Sequence, residues 1–245
     1  MDGLAAERTP EHARKALTAL RVALRVAERY GELQANPCSG VRVPTSAEGE
    51  KAARILTPEE CAAIVSQAEA DDARLGRSFA APLVALLLGT GLRLGEALAL
   101  VWGPDGLDLE GGTVRVRRSL DRVRGADGAF PVLVPKSRAS RRDVPLPPED
   151  TARMLRHRMA SGRPTDGALV FAHPGGVALS PVPAYRAFKR AALRAGIAAP
   201  LPRPHDCRHA FATHALAAGL SAHAVAARTL GRRARAAPLR ARAPR

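Results

Sequence analysis

Hydrophobic positions along this chain follow two different periods. Leu17, Leu20, Leu24 and Ala27 recur at three- and four-residue steps, a helical stripe that opens after Thr9-Pro10-Glu11 and closes at Gly31. Threonine suits the N-cap, proline the first helical position and glycine the exit. One amphipathic helix cannot bury its own stripe, so this one requires a partner bundle. "NPCSGVRVPTSAEGEK" follows and reads as a linker, rich in Pro, Gly and Ser. "TPEECAAIVSQAEA" then opens on a capping-box pattern, Thr57 to Glu60, and predicts a helix. "FAAPLVALLLG" is apolar all round, contains Pro82 and is too short to span a bilayer, which predicts a buried helix around 78–89. "TGLRLGEALAL" reads as a turn leading into a further helix.

The period then drops to two. In "LDLEGGTVRVRRSL" Val114 and Val116 share one face and Arg115 and Arg117 the other, which predicts paired strands around Gly111-Gly112. "FPVLVPKSRASRRDVPLP" predicts a short strand, a polar hairpin turn and a returning strand that ends in Val144 and Leu146. Helical spacing resumes in "EDTARMLRHRM", "PAYRAFKRAALRAG" and "HDCRHAFATHALAAG". The expected fold is mainly α with a small antiparallel β-sheet (α+β), without internal repeats.

Composition sharpens this picture in two respects. Aromatic residues make up only 3% of the 245 positions, so Ala and Leu must fill the interior, which favours helices. The net charge is +15, of which the six arginines of 232–245 supply six, so the remainder still carries +9. A basic body argues for a polyanionic partner, although the charge alone is equally compatible with a composition biased towards Arg and Ala. Cys38, Cys61 and Cys207 are odd in number and widely spaced, which argues against a disulfide framework or a thiolate zinc site and suits a reducing cytoplasm. No signal peptide is visible, and no membrane association is expected.

Three separated stretches place basic groups where local structure would hold them. Arg93 is expected in the first turn of a helix, with Glu96 three residues on to orient its guanidinium. Lys136 is expected at the mouth of the hairpin turn. His205 and Arg208, three apart on a helix, share one face. Taken singly, each has an ordinary reading: a surface ion pair, a turn lysine, a helix cap. The His205–His209 spacing also suits metal ligation, but no acidic third ligand accompanies it, so neither a metal nor any other cofactor is expected. Together, two Arg, one Lys and one His make a site for a phosphodiester. Guanidiniums bind its non-bridging oxygens in bidentate fashion and stabilise the charge that grows on five-coordinate phosphorus. A Lys or His can protonate the departing oxygen.

The order "TGLRLGE", "PKSRASRRDVPL", "HDCRHAFATHALAAG" and "VAARTLG" resembles the catalytic domain of the tyrosine recombinases, the phage-integrase family. On this resemblance 51–231 is the catalytic domain, and 1–45 is a remnant of the family's N-terminal core-binding domain with its linker. The resemblance implies that Arg93 is the first catalytic arginine, that His205 and Arg208 form the H-x-x-R pair, and that Lys136 is the general acid on the leaving 5′ hydroxyl. It also implies double-stranded DNA as partner, self-association or association with related recombinases on DNA, and a cytoplasmic, nucleoid-associated location. The family attacks DNA with a tyrosine and forms a 3′-phosphotyrosyl link without metal or high-energy cofactor.

The pattern breaks after Gly231. Arg232 stands where the family places a second histidine, and no nucleophilic tyrosine follows. The chain's tyrosines, Tyr30 and Tyr185, match no nucleophile motif and are expected to be packing residues. The stretch 232–245, built from Arg, Ala, Pro and Leu, reads as the product of a frameshift, with a basic arm as the alternative. The expectation is therefore a protein of site-specific DNA recombination and integration that has lost catalysis. The alternative is a non-catalytic module that occupies a recombination site or complements an intact relative. A basic structural or RNA-associated protein does not account for four ordered motifs.

Overall fold

The computed structural model describes residues 10–43, 54–121, 125, 130–133 and 141–230. The chain divides into two compact units, Met1–Ala52 and Ala53–Arg245.

In the first unit the predicted helix forms as α1 (Pro10–Arg29) and buries Ala13 and Leu17. Leu20, assigned to the same stripe, is 43% exposed. Gly31 ends the helix at φ 77°, a left-handed conformation that glycine adopts without strain. Its N–H donates to Glu28 O at 3.1 Å and that of Glu32 to Ala27 O at 3.0 Å, which satisfies the last carbonyls. The early part of the expected linker folds back onto α1. The Asn36 amide donates to Arg21 O at 3.0 Å, and Arg21 Nε donates to Cys38 O at 2.9 Å.

The second unit is built around one apolar helix. α2 (Pro58–Arg74) opens with the predicted capping box: Glu60 N donates to Thr57 Oγ1 at 3.2 Å and Thr57 N to a Glu60 carboxylate oxygen at 3.0 Å. α3 (Ala80–Thr90) buries residues on every side, as its uniformly apolar sequence requires. Its first amides are satisfied from α2, where Asp72 Oδ2 accepts from Phe79 N at 3.1 Å and Ala81 N at 2.9 Å. Around α3 pack α2, α5 (Pro148–Ala160), α6 (Pro181–Arg194) and α7 (Pro204–Ala217). Trp102, Phe171, Phe188, Leu83, Leu86 and Leu98 are among the fully buried side chains.

After α3 comes a short helix, α4 (Leu94–Leu98), and then the strands β1 (Leu107–Asp108), β2 (Thr113–Val116), β3 (Ser119–Leu120), β4 (Val132–Leu133) and β5 (Arg142–Pro145). The β1–β2 pair turns through Gly111-Gly112 as the sequence predicts. The second predicted hairpin differs. β5 pairs antiparallel with β2, Val144 opposite Val114, whereas β4 pairs with β3 in a separate two-stranded sheet. The reason lies in the inward-facing positions. On β5 alternate residues are buried and meet buried positions of β2, whereas Val132 and Leu133 of β4 are exposed and gain nothing from the core sheet.

One described helix was not predicted: α8 (Ala222–Leu230), which is only nine residues long. Ser221 starts it, its Oγ accepting from Ala224 N at 3.2 Å. The tyrosines are also placed differently from expectation: Tyr30 is 78% and Tyr185 38% exposed, so neither packs in the core. All three cysteines are free, and no described helix is long and apolar enough to cross a membrane.

Candidate functional site

Arg93, His205 and Arg208 come from two distant stretches of sequence and lie within electrostatic reach of one another. Their placement follows from how three helices end. α3 stops at Gly91, φ 63°, where an added Cβ would lie 2.6 Å from the Phe211 ring. Its free carbonyl faces α7, and Arg208 Nη1 donates to it at 2.8 Å. Arg208 Nη2 donates to Thr229 O at the end of α8. The guanidinium therefore bridges two helix C-termini, where cations are favoured.

Arg93 stands one position before the expected first turn, at the N-cap of α4, with extended backbone. Glu96 holds it twice: Arg93 N donates to Oε2 at 2.8 Å and Arg93 Nη1 to Oε1 at 2.9 Å. The first contact ties the carboxylate to the helix start and the second aims the guanidinium, whose side chain remains 46% exposed. His205 follows Pro204 at the start of α7. The cap there is supplied by Asp206, whose Oδ2 accepts from Arg203 N at 2.7 Å, so His205 is not needed for capping and is exposed. Its ring meets that of His209 edge-on at 4.9 Å. Among the described residues no group of three or more His, Cys, Asp or Glu is placed to hold a metal ion.

Arg142 was overlooked in the sequence and is the best-anchored cation of the cluster. Its side chain is 3% exposed and pairs with Glu96 bidentately, Nη1 to Oε1 at 3.0 Å and Nη2 to Oε2 at 2.6 Å. Its Nε donates to Arg228 O. Arg142 and Arg208 thus take two consecutive carbonyls at the end of α8 and fix that helix against β5 and α7. A signal existed in the pattern: Arg142 has the same strand parity as the inward-facing Val144 and Leu146. Lys136 and Arg232 lie outside the described residues.

The cluster's charges shift one another. Burial pushes the Arg208 guanidinium down to about 10, with repulsion from Arg93 and Arg142 adding to it and Glu96 opposing, so it stays cationic at neutral pH. Desolvation, then His209, Arg208 and Arg93, hold His205 below the usual imidazole value, against a smaller pull from Asp206. Burial alone would raise Glu96, but the hydrogen bonds and charge of Arg142, with help from Arg93, bring it below the usual carboxylate range. The result is one buried carboxylate shared by two guanidiniums, with a third guanidinium and an imidazole beside them. That surplus of positive charge is suited to an oxyanion.

Residues 54–231 match the family described as the Phage integrase family. The chain belongs to that family of tyrosine recombinases. Among curated relatives it is 31% identical to tyrosine recombinase XerC of Ralstonia pickettii over 198 residues, covering 78% of this chain and 56% of the relative. It is 32% identical to tyrosine recombinase XerD of Mycobacterium tuberculosis over 218 residues, covering 87% of this chain and 63% of the relative. The chain thus spans little more than half the length of these relatives. Among solved structures, the Tn1549 transposon integrase in complex with transposon right end DNA superposes with a TM-score of 0.71 at 22% identity, covering 89% of this chain and 70% of that one. A lambda integrase dimer bound to a core site superposes with a TM-score of 0.61 at 20% identity, covering 96% and 60%. These superpositions identify the fold as that of the recombinase catalytic domain.

Proposed function

We propose that this chain binds duplex DNA as a site-specific recombinase of reduced chemistry. In this reading Arg93, His205 and Arg208 grip a backbone phosphodiester, Lys136 reaches the leaving oxygen, and the nucleophile is missing. The observation that supports it is the convergence of cations from the α3–α4 turn and α7 around the Glu96–Arg142 pair. A phosphodiester carries one negative charge on two non-bridging oxygens, and Arg93 and Arg208 supply the planar donors those oxygens take up. Burial and the neighbouring His209, Arg208 and Arg93 hold His205 below its usual value, and an anion beside it pulls in the opposite direction. The relatives named XerC and XerD, and the DNA-bound integrases of like fold, favour the same ligand.

The loss of catalysis rests on side-chain inventory. The sequence holds two tyrosines. Tyr30 belongs to the first unit, and Tyr185 lies on α6 beside Lys189, whose ammonium is 5.9 Å from its ring centroid. Among the described residues Tyr185 makes no hydrogen bond to Arg93, His205 or Arg208. Without a nucleophile the arginines bind phosphate but no covalent link forms.

The test uses a duplex selected from a random library by binding to the full chain and then nicked at each position in turn. A mobility shift is expected, with no protein–DNA adduct on a denaturing gel. An adduct overturns the loss of catalysis. Binding left intact by Arg93→Gln combined with His205→Gln overturns the placement of the phosphate.

A further inference from the structure

At the other end of α3, about 16 Å of helix axis from the Arg208 anchor, the second unit carries a separate pocket of about 580 Å³. Its apolar lining includes Phe79, Phe171 and Leu179. Its cations are Arg77, in the connection between α2 and α3, and Arg186 and Arg190, one helical turn apart on α6. Among the described residues no carboxylate lines it. The carboxylate nearest in the hydrogen-bond network, Asp72, is committed: it caps α3 through Oδ2 and accepts from Arg77 Nε through Oδ1 at 3.0 Å.

The protein balances one of these three guanidiniums, that of Arg77, through Asp72. Arg77 Nη2 is buried without an acceptor among the described residues, the kind of donor that costs free energy until an oxygen meets it. Arg186 and Arg190 show no ion pair or hydrogen bond among the described residues, and their spacing sets like charges side by side. The neighbouring His157 is biased towards its neutral form. Burial lowers its proton affinity, and with Nε2 donating to Val170 O at 2.8 Å, its Nδ1 is left to accept from Ser78 Oγ at 3.3 Å.

We infer that this pocket binds a small organic phosphate monoester, its head on Arg77, Arg186 and Arg190 and its apolar body over Phe79 and Leu179. A monoester near pH 7 carries a charge of about −1.5 to −2 on three strong acceptor oxygens. That charge suits Arg186 and Arg190, set beside the Asp72-paired Arg77, better than the single charge of a carboxylate or a diester phosphate does. The pocket's volume falls in the range of small-molecule sites.

Phenyl phosphate is the probe, titrated into the full chain by calorimetry, with inorganic phosphate and benzoate as comparisons. Phenyl phosphate is expected to bind at least tenfold tighter than either. Arg186→Gln with Arg190→Gln, both on the surface of α6, is expected to weaken it at least tenfold and to leave duplex affinity unchanged. Arg93→Gln is expected to leave phenyl phosphate binding intact, which separates this pocket from the phosphodiester site. Equal affinity for benzoate overturns the choice of phosphate. Loss of binding in Arg93→Gln, or a duplex affinity that falls with the α6 substitutions, overturns the pocket as a separate site.

Discussion

Glu96 organises the candidate site more than any cation in it. It is one carboxylate serving Arg93 on the surface and Arg142 in the interior, with side-chain exposures of 46% and 3%. Removing its charge leaves Arg142 buried without compensation, a change that costs about 3–5 kcal/mol. Glu96→Gln is expected to lose that much in urea denaturation, while Arg93→Gln loses about 1 kcal/mol or less, as an exposed pair should. A loss from Glu96→Gln no larger than that from Arg93→Gln would refute the buried pair. Because the folded state holds Glu96 below its ordinary value, its contribution is complete above the unfolded carboxylate pKa of about 4.3 and disappears as pH falls through the folded value. The wild-type advantage over Glu96→Gln should therefore shrink only below about pH 4–5. His205 behaves in the opposite sense to a paired histidine. Its folded value is lowered, so the unfolded chain binds the proton more readily and stability rises with pH through the imidazole range. Bound duplex should reverse the shift, and NMR titration of the His205 ring with and without DNA reads it directly. An unchanged or further lowered value on DNA would place the phosphate elsewhere.

At the level of elements, the site is an assembly of helix ends. α3 terminates at Gly91, α4 begins at Arg93, α7 begins beside His205, and α8 ends on the guanidiniums of Arg142 and Arg208. Gly91 is the position where this arrangement tolerates no side chain. Alanine there meets a left-handed cost of about 1–2 kcal/mol and pushes the Phe211 ring aside, about 1–3 kcal/mol more. Gly91→Ala should lower the denaturation midpoint accordingly and weaken duplex binding by displacing the carbonyl that holds Arg208. Full stability in that variant would contradict the close approach. The longer helices were legible because their apolar residues recur at helical spacing, and because Thr57 and Glu60 announce the start of α2. That Arg93, His205 and Arg208 gather in one place was legible from the ordered motifs that carry them. Strand partnership was not legible: β4 and β5 lie close in sequence yet join different sheets, a choice made by burial against β2. Arg142 was hidden for the same reason, since its carboxylate partner lies 46 residues away and only the folded register brings them together. α8 is held largely by contacts with α7 and β5 that its own nine residues do not encode.

Taken as a whole molecule, the chain has a net charge of +15, enough to attract any polyanion and therefore no measure of a site by itself. What separates a built phosphate contact from general attraction is how affinity responds to salt. Each phosphate neutralised on a duplex contributes about −0.9 to the slope of log K against log salt. Arg93 reaches solvent from a mount fixed by Glu96, so Arg93→Gln should remove one such contact and make the slope shallower by about 0.9. Arg117 is the control, because its guanidinium is already paired with Asp143 at 2.6 Å on the outer face of the sheet. Arg117→Gln lowers the net charge by the same single unit and should leave the slope nearly unchanged. Fluorescence anisotropy with a labelled duplex across a salt series compares the two directly. Should both substitutions change the slope equally, the chain binds DNA by overall charge, and the cluster around Glu96 has no special claim on the phosphate.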